Sequence, residues 1–211
     1  MERYLSANIE IGGFMRLRIV VFTLLLVMTI AMGSQAFNGE RKGFVLGGGL
    51  GLGSTSYTQT LEMNGQSATS DREGKGAINT DFRIGYAPNN QLSIIYDSKV
   101  AWFGFTNAYN EDVTVSSGAS SIALNYYLNP VSPSTYFSGG IAIATWSLPF
   151  EEHAPDPWSG FGIHGGIGYE FSRHFSGEFN LVYGHPGTEE SGLKVHANVV
   201  SVMLTFNAIA Y

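Results

Sequence analysis

The amino-acid sequence predicts an all-β fold: an eight-stranded antiparallel up-and-down transmembrane β-barrel preceded by a helical signal peptide. Three observations carry this prediction. Eight runs from residue 44 onward alternate apolar and polar residues with a period of two. The connections between those runs alternate long and short. The only continuous apolar run long enough to suggest a helix, residues 19–32, sits near the start behind Arg16 and Arg18.

That apolar run is followed by Gly33, Ser34, Gln35 and Ala36, which places small residues three and one before a cut after Ala36. This is the layout of a secretory signal peptide, and the run is short of the roughly 20 residues that a membrane-spanning helix needs. Residues 1–36 are therefore read as an address, with 1–14 an extension upstream of the charged segment that opens at Met15. The folded domain is expected over 37–211. Removing Arg3, Arg16, Arg18, Glu2 and Glu10 leaves 8 basic and 15 acidic groups, net −7.

The composition excludes several function classes. The chain has 211 residues, 44% hydrophobic and 13% charged, with 27 glycines and no cysteine. Disorder needs more charge and less hydrophobicity. Without cysteine there is no disulfide framework, thiolate metal site, iron–sulfur cluster or cysteine nucleophile. Only 11 Lys and Arg against 17 Asp and Glu leave no basic patch for nucleic acid. If this exported chain enters a membrane, only a closed β-barrel can satisfy its backbone there.

The eight runs follow in order. Residues 44–53 form a glycine-dense first run. In 78–86, Ile78, Phe82, Ile84 and Tyr86 oppose Asn79, Asp81 and Arg83. In 92–102, Leu92, Ile94, Tyr96, Val100 and Trp102 oppose Ser93, Asp97, Lys99 and Ala101. Around 122–128, Ile122, Leu124, Tyr126 and Leu128 oppose Ala123, Asn125 and Tyr127. Residues 137–146 give the fifth run. In the sixth, 161–171, Gly162, His164, Gly166, Gly168 and Glu170 share a face. Residues 175–183 and 195–211 complete the set. Long connections are expected at about 57–76, 106–116, 147–159 and 185–193, and short ones at 87–91, 129–134 and 172–174. The short ones hold turn formers such as Pro88, Asn89, Asn90, Asn129, Pro130 and Pro133. Long loops at one end and short turns at the other match an outer-membrane barrel.

Alternation alone does not say which face is inside, since a soluble ligand-binding barrel has the same period with its apolar face inward. Three features favour lipid outside. Asp81, Arg83, Asp97 and Lys99, with Glu170 and Glu178, lie mid-strand or inward, where a narrow lumen lets charges pair; His164, Asn125 and Asn180 share that face. Aromatic residues gather as girdles: Tyr86, Tyr126, Phe137, Tyr169, Phe171, Phe175 and Phe206 toward the turns, and Trp102, Trp146 and Trp158 toward the loops. The last strand also ends in an aromatic residue.

With these residues in view the chain resembles the small eight-stranded outer-membrane barrels of the OmpX, OmpW and OmpA N-terminal type, the porin-family β-barrel domain. The resemblance spans 37–211, through the opening Lys42-Gly-Phe-Val-Leu-Gly-Gly-Gly-Leu-Gly-Leu-Gly53, the segment Gly166-Ile-Gly-Tyr-Glu-Phe-Ser-Arg-His-Phe-Ser176 and the closing strand. It implies a monomer in the bacterial outer membrane, in contact with its lipid and lipopolysaccharide, inserted by barrel-assembly machinery and carrying no cofactor. The closing strand departs from the family pattern, because Thr205 and Asn207 interrupt an apolar face counted back from Tyr211. Placing Val200, Val202, Leu204 and Phe206 outward is the preferred register, with a short tail after Phe206.

Candidate chemistry is sparse. The glycines at 47, 48, 49, 51 and 53 do not match a dinucleotide fingerprint and are expected to make room for large side chains across the lumen. His174, Ser176 and Glu178 resemble the dyad of lipid A deacylase barrels, but residues two apart on a strand stand about 6–7 Å from each other. The interior charges are expected to plug the lumen rather than line a path, because eight strands leave room only for side chains; a narrow ion or solute channel is the alternative. The long loops hold the acids Glu62, Asp71, Glu73, Glu111, Asp112, Glu151, Glu152, Asp156, Glu189 and Glu190 against Arg72 and Lys75. Glu151, Glu152 and Asp156 are the best candidates for an ion, with solvated loops the simpler reading; no metal site is assigned, and His153 and His185 add little. The expected function is a structural or surface-interaction role, not an enzyme.

Overall fold

The computed structural model describes residues 40–106, 112–151, 154–190 and 192–211. The signal-peptide expectation lies outside the described residues, as do Glu111, Glu152 and His153. Among the described residues nine strands follow one another: β1 (Gly43–Met63), β2 (Gln66–Thr69), β3 (Glu73–Asn89), β4 (Leu92–Thr106), β5 (Asp112–Tyr127), β6 (Ser134–Ser147), β7 (Trp158–Ser172), β8 (Phe175–Glu190) and β9 (Leu193–Ala210). Each of β3 to β9 pairs antiparallel with its predecessor in the barrel, and β1 pairs with β9 from Leu46↔Ala210 to Met63↔Leu193. Eight strands thus close on themselves, and the four-residue β2 folds back on the outer end of β1.

The alternation seen in the sequence is the division between wall and lumen. Leu50, Leu52, Ile78, Phe82, Ile94, Ile122, Leu124, Ile141, Ile143, Ile163, Ile167, Leu181 and Leu204 point outward and are exposed, whereas Asn79, Asp81, Arg83, Asp97, Lys99, Glu170, Glu178, Asn180 and Asn207 point inward and are buried. A soluble barrel has the opposite distribution. In β9, Val202, Leu204 and Phe206 are outward while Thr205 and Asn207 are buried, so the second register describes that strand. The expected tail does not exist: pairing runs to Ala210, and Tyr211 turns inward at 1% exposure.

Two of the four expected long loops are instead continuations of the wall. In the 57–76 segment β1 runs on to Met63, reverses at Asn64 (φ 51°) and Gly65 (φ 78°), and returns as β2. Two consecutive left-handed residues make the tight turn that Asn-Gly favours between antiparallel strands. In the 185–193 segment β8 and β9 stay paired through Thr188↔Val195 and Glu189↔Lys194, the last an ion pair of 3.5 Å. Above the membrane both faces of a strand meet water, so pairing continues after the apolar alternation has ended. The 14- to 21-residue strands of the barrel therefore exceed the roughly 9–11 residues that cross the hydrocarbon.

An arginine in the middle of the outer wall should be far more damaging than one above it. Ile141→Arg, flanked by Ile122 and Ile163, is expected to cost about 2–4 kcal/mol in lipid vesicles, and Thr114→Arg near the outer rim about 0–1 kcal/mol. Urea unfolding followed by tryptophan fluorescence measures both.

Candidate functional site in the barrel lumen

The lumen is filled in three tiers. At the turn end, Arg41, just ahead of β1, makes a two-pronged ion pair with Glu170 of β7, Nε donating to Oε2 at 2.8 Å and Nη2 to Oε1 at 3.0 Å. Its Nη1 donates to the carbonyls of Asn90 (2.9 Å) and Asn129 (2.7 Å), and its guanidinium lies 4.1 Å above the Tyr127 ring. Tyr211 donates to Glu170 Oε2 at 2.9 Å and meets the Tyr127 hydroxyl at 3.3 Å. Burial opposes the charge of Arg41, but the Glu170 carboxylate outweighs it and raises the guanidinium pKa above its ordinary value.

The middle tier converges on Glu178 of β8. Arg83 Nη1 donates to its Oε2 at 3.1 Å, Lys99 Nζ to its Oε1 at 2.9 Å, Tyr136 Oη to its Oε2 at 2.5 Å and Asn180 Nδ2 to its Oε1 at 2.7 Å. Asp81 accepts from Arg83 and, at 2.9 Å, from Lys99. Strands β3, β4, β6 and β8 are thereby tied across the barrel axis. Asp97 joins more loosely, its Oδ2 3.3 Å from Lys99. Ser121 bonds His164 Nε2 at 2.9 Å and the Asp97 carbonyl at 3.0 Å. The inner-face glycines provide the space: a Cβ on Gly47 would stand 3.0 Å from Arg83 Cγ, and one on Gly168 only 2.1 Å from Tyr136 Cζ.

The outer tier is apolar. Tyr57, Phe103 and Trp146 pack with ring centroids 5.0 to 5.9 Å apart, Trp158 stacks on Trp146 at 6.3 Å, and Val115, Val199 and Met203 fill beneath them. Tyr57 donates to Glu73 at 3.0 Å.

Of the expected lumen residues, the structure brings Asp81, Arg83, Asp97, Lys99 and Glu178 together. Glu170 belongs elsewhere, in the separate Arg41 pair. Of the expected girdle, Tyr86, Tyr126, Phe137, Tyr169, Phe171, Phe175 and Phe206 are outward and exposed near the turns, with Phe206 5.7 Å from both Phe171 and Phe175. Trp102 faces outward toward the loops, donating to Thr80 Oγ1 at 2.9 Å and stacking on Phe150. Trp146 and Trp158 do not belong to a girdle. Trp146 shares the inner face of β6 with Tyr136 and is 7% exposed, because the lumen mouth offers it three aromatic partners while Thr145 and Ser147 take the outer positions. Arg41 escapes sequence reasoning because it precedes the first alternating run, and Tyr211 is legible only as the aromatic end of the last run, not as a partner of Glu170.

His174 and Ser176 are engaged apart from each other. His174 Nδ1 contacts the Ile209 carbonyl at 3.0 Å, and the buried Ser176 meets the Tyr136 hydroxyl at 3.2 Å. The loop acids Glu62, Asp71, Glu73, Asp112, Glu151, Asp156, Glu189 and Glu190 are all exposed. Among the described residues no three acidic or histidine groups gather to hold an ion.

A closed antiparallel wall with an apolar exterior and a hydrogen-bonded ionic interior defines a membrane-spanning β-barrel, here one of the small eight-stranded outer-membrane type. No family model and no curated protein matches the chain. Among solved structures it is similar to the outer membrane protein OprG from Pseudomonas aeruginosa (12% identity, 83% of this chain and 99% of that one, TM-score 0.49). It is also similar to Neisserial surface protein A (15%, 76% and 96%, TM-score 0.43) and to Ail, the attachment invasion locus protein of Yersinia pestis (13%, 75% and 98%, TM-score 0.33). Strand closure and the chemistry of the two faces define the fold.

The middle tier holds three acids against two bases, so its members should respond unequally. Removing Glu178 takes one carboxylate partner from each of the buried cations Arg83 and Lys99 and the carboxylate acceptor from Tyr136 and Asn180, and Glu178→Ala is expected to cost about 3–5 kcal/mol. Asp97→Asn removes the surplus acid at its loosest contact and should cost less than about 1 kcal/mol. Equilibrium unfolding of both variants in the same lipid or detergent checks the order.

Proposed function

We propose that this protein is an integral component of the bacterial outer membrane, with a sealed lumen and a structural or surface-interaction role exerted from its acidic outer rim. The observation that carries this reading is the burial of the central cluster. Asp81, Arg83, Asp97, Lys99 and Glu178 are each 5% exposed or less, with the Arg41–Glu170–Tyr211 tier closing one end and the Tyr57–Phe103–Trp146 tier the other. Burial of this degree, between two packed tiers, supports a filled lumen. A permeation path would require these tiers to part, and parting them leaves unpaired charge in a confined space at a cost of several kcal/mol.

On this reading the barrel acts as a monomer, since β1 and β9 close the wall within one chain. Outer-membrane lipid and lipopolysaccharide contact its exterior, and barrel-assembly machinery inserts it. The acidic rim, rather than the lumen, meets other molecules. An enzymatic role draws no support from the geometry, in which His174 and Ser176 serve different partners.

Two measurements test the reading. Purified protein in planar bilayers should give no stepwise conductance. Regular steps that vanish in Arg83→Ala or Lys99→Ala would replace the plug by a channel. Because the chain has no cysteine, single cysteines report orientation: on intact cells a membrane-impermeant maleimide should label Gly65→Cys in the β1–β2 turn and leave Asn90→Cys in the β3–β4 turn unlabelled. Labelling of Asn90→Cys alone would invert the orientation.

A further inference from the structure

On the outer wall, where β8 and β9 leave the apolar belt, four polar side chains meet. Tyr183 and His185 of β8 and His196 and Asn198 of β9 all face outward, one step beyond Val200 and Val202. Asn198 Oδ1 accepts two hydrogen bonds, from Tyr183 Oη at 3.1 Å and from His185 Nδ1 at 2.9 Å. The His185 and His196 rings face each other with centroids 4.8 Å apart, inclined by 47°. Neither the plug nor the proposed surface role of the rim uses these residues.

The backbone here is shaped to bring the two rings together. The β8–β9 ladder runs to Gly184↔Val199, skips two steps at His185 and Pro186, and resumes at Gly187↔His196. Pro186 has no N–H to offer the ladder. Opposite His196 stands Gly187, on which a Cβ would lie 3.0 Å from the His196 Cβ and 2.9 Å from the Val195 carbonyl oxygen. The missing side chain frees the space into which the His196 ring leans toward its diagonal neighbour. The Asn198 acceptor also fixes the chemistry of His185. With the proton on Nδ1 donated to Asn198, the neutral ring presents the lone pair of Nε2. A histidine oriented by an outer hydrogen bond in this way is prepared as a metal ligand. Two ring nitrogens bound to one ion at about 2.0–2.1 Å lie about 3.3 Å apart in tetrahedral geometry, a separation these rings can adopt.

We propose that His185 and His196 form a two-imidazole binding site for a borderline divalent transition ion, Zn²⁺ or Cu²⁺, on the outer collar of the barrel, with Asn198 as a positioning residue and solvent completing the coordination. Imidazole selects such ions over Mg²⁺ and Ca²⁺, which prefer oxygen donors. Glu189 and Lys194, the ionic pair next along the same strands, neutralise each other and leave the site's charge to the ion.

The test is calorimetric titration of the untagged, folded protein in detergent with ZnCl₂, CuCl₂ and MgCl₂. The expected result is saturable Zn²⁺ and tighter Cu²⁺ binding, with none for Mg²⁺. Affinity should fall tenfold or more in His185→Phe and His196→Gln, and about tenfold in Asn198→Ala, as for loss of an orienting partner. Heat-modifiable gel mobility establishes that each variant is folded. Wild-type affinity in both histidine variants, equal heats from Mg²⁺, or no Zn²⁺ and Cu²⁺ binding to the parent protein would overturn the proposal. Should the variants not fold, the electron paramagnetic resonance spectrum of the Cu²⁺-loaded parent decides, since coupling to two imidazole nitrogens is expected and its absence refutes the site.

Discussion

The constraint on which this structure depends is that hydrocarbon offers no partner to a backbone N–H or C=O. A sheet meets that constraint only by having no edge, and here the edge is abolished by the long pairing of β1 with β9, from Leu46↔Ala210 to Met63↔Leu193. Closure with only eight strands then leaves an interior just wide enough for side chains. The outer face must dissolve in lipid and is therefore apolar. The inner face is deprived of both lipid and bulk water, so its polar groups either partner one another, as those around Glu178 do, or stay without a hydrogen bond, as the side-chain amide of Asn79 and Oδ1 of Asn207 do. The distribution of exposed leucines and isoleucines and buried aspartates, lysines and arginines is a consequence of closure.

The central cluster shows how such groups partner one another. Glu178 is the common acceptor for Arg83, Lys99, Tyr136 and Asn180, so one carboxylate compensates two cations and two neutral donors drawn from four strands. Buried ion pairs are not automatically stabilising, because desolvation can match the attraction. In a barrel the comparison differs, since the members cannot leave the lumen without opening the wall. Ionic contacts across the axis also fix which residues stand opposite one another, and so resist the two-residue register slips that an alternating sequence otherwise tolerates.

How much could be read without coordinates follows from this physics. Inside the membrane the two-residue alternation is enforced on every strand, so the faces of β3, β4 and β5, and the inward set Gly162, His164, Gly166, Gly168 and Glu170 of β7, are legible directly. Beyond the belt the rule lapses. The outer parts of β8 and β9, rich in Glu, Thr and Gly, therefore resemble loop although Glu189 and Lys194 are cross-strand partners. The Asn64-Gly65 pair is a turn signal, but the polar residues on both sides of it resemble one long loop. Trp146 differs from the expectation for another reason: composition places tryptophan at an interface, but strand parity places this one inward, and parity is the stronger constraint.

What no local pattern could have shown is the joint between the two strands that close the wall. Arg41 lies two residues before β1 and Tyr211 immediately follows β9, and both bind the same Glu170 on β7, 129 and 41 residues away in sequence. Arg41 lies in no alternating run and Tyr211 only terminates one, and neither carries a local signal that names Glu170 as its partner. Their meeting is a property of closure: only when β1 and β9 are paired do the segments beside them stand at the same mouth of the lumen. The Arg41 guanidinium also caps the carbonyls of Asn90 and Asn129 in the neighbouring turns, so the ionic joint supports the seam and the short turns together. Sequence periodicity thus describes the wall, whereas the groups that seal it are specified by three-dimensional proximity alone.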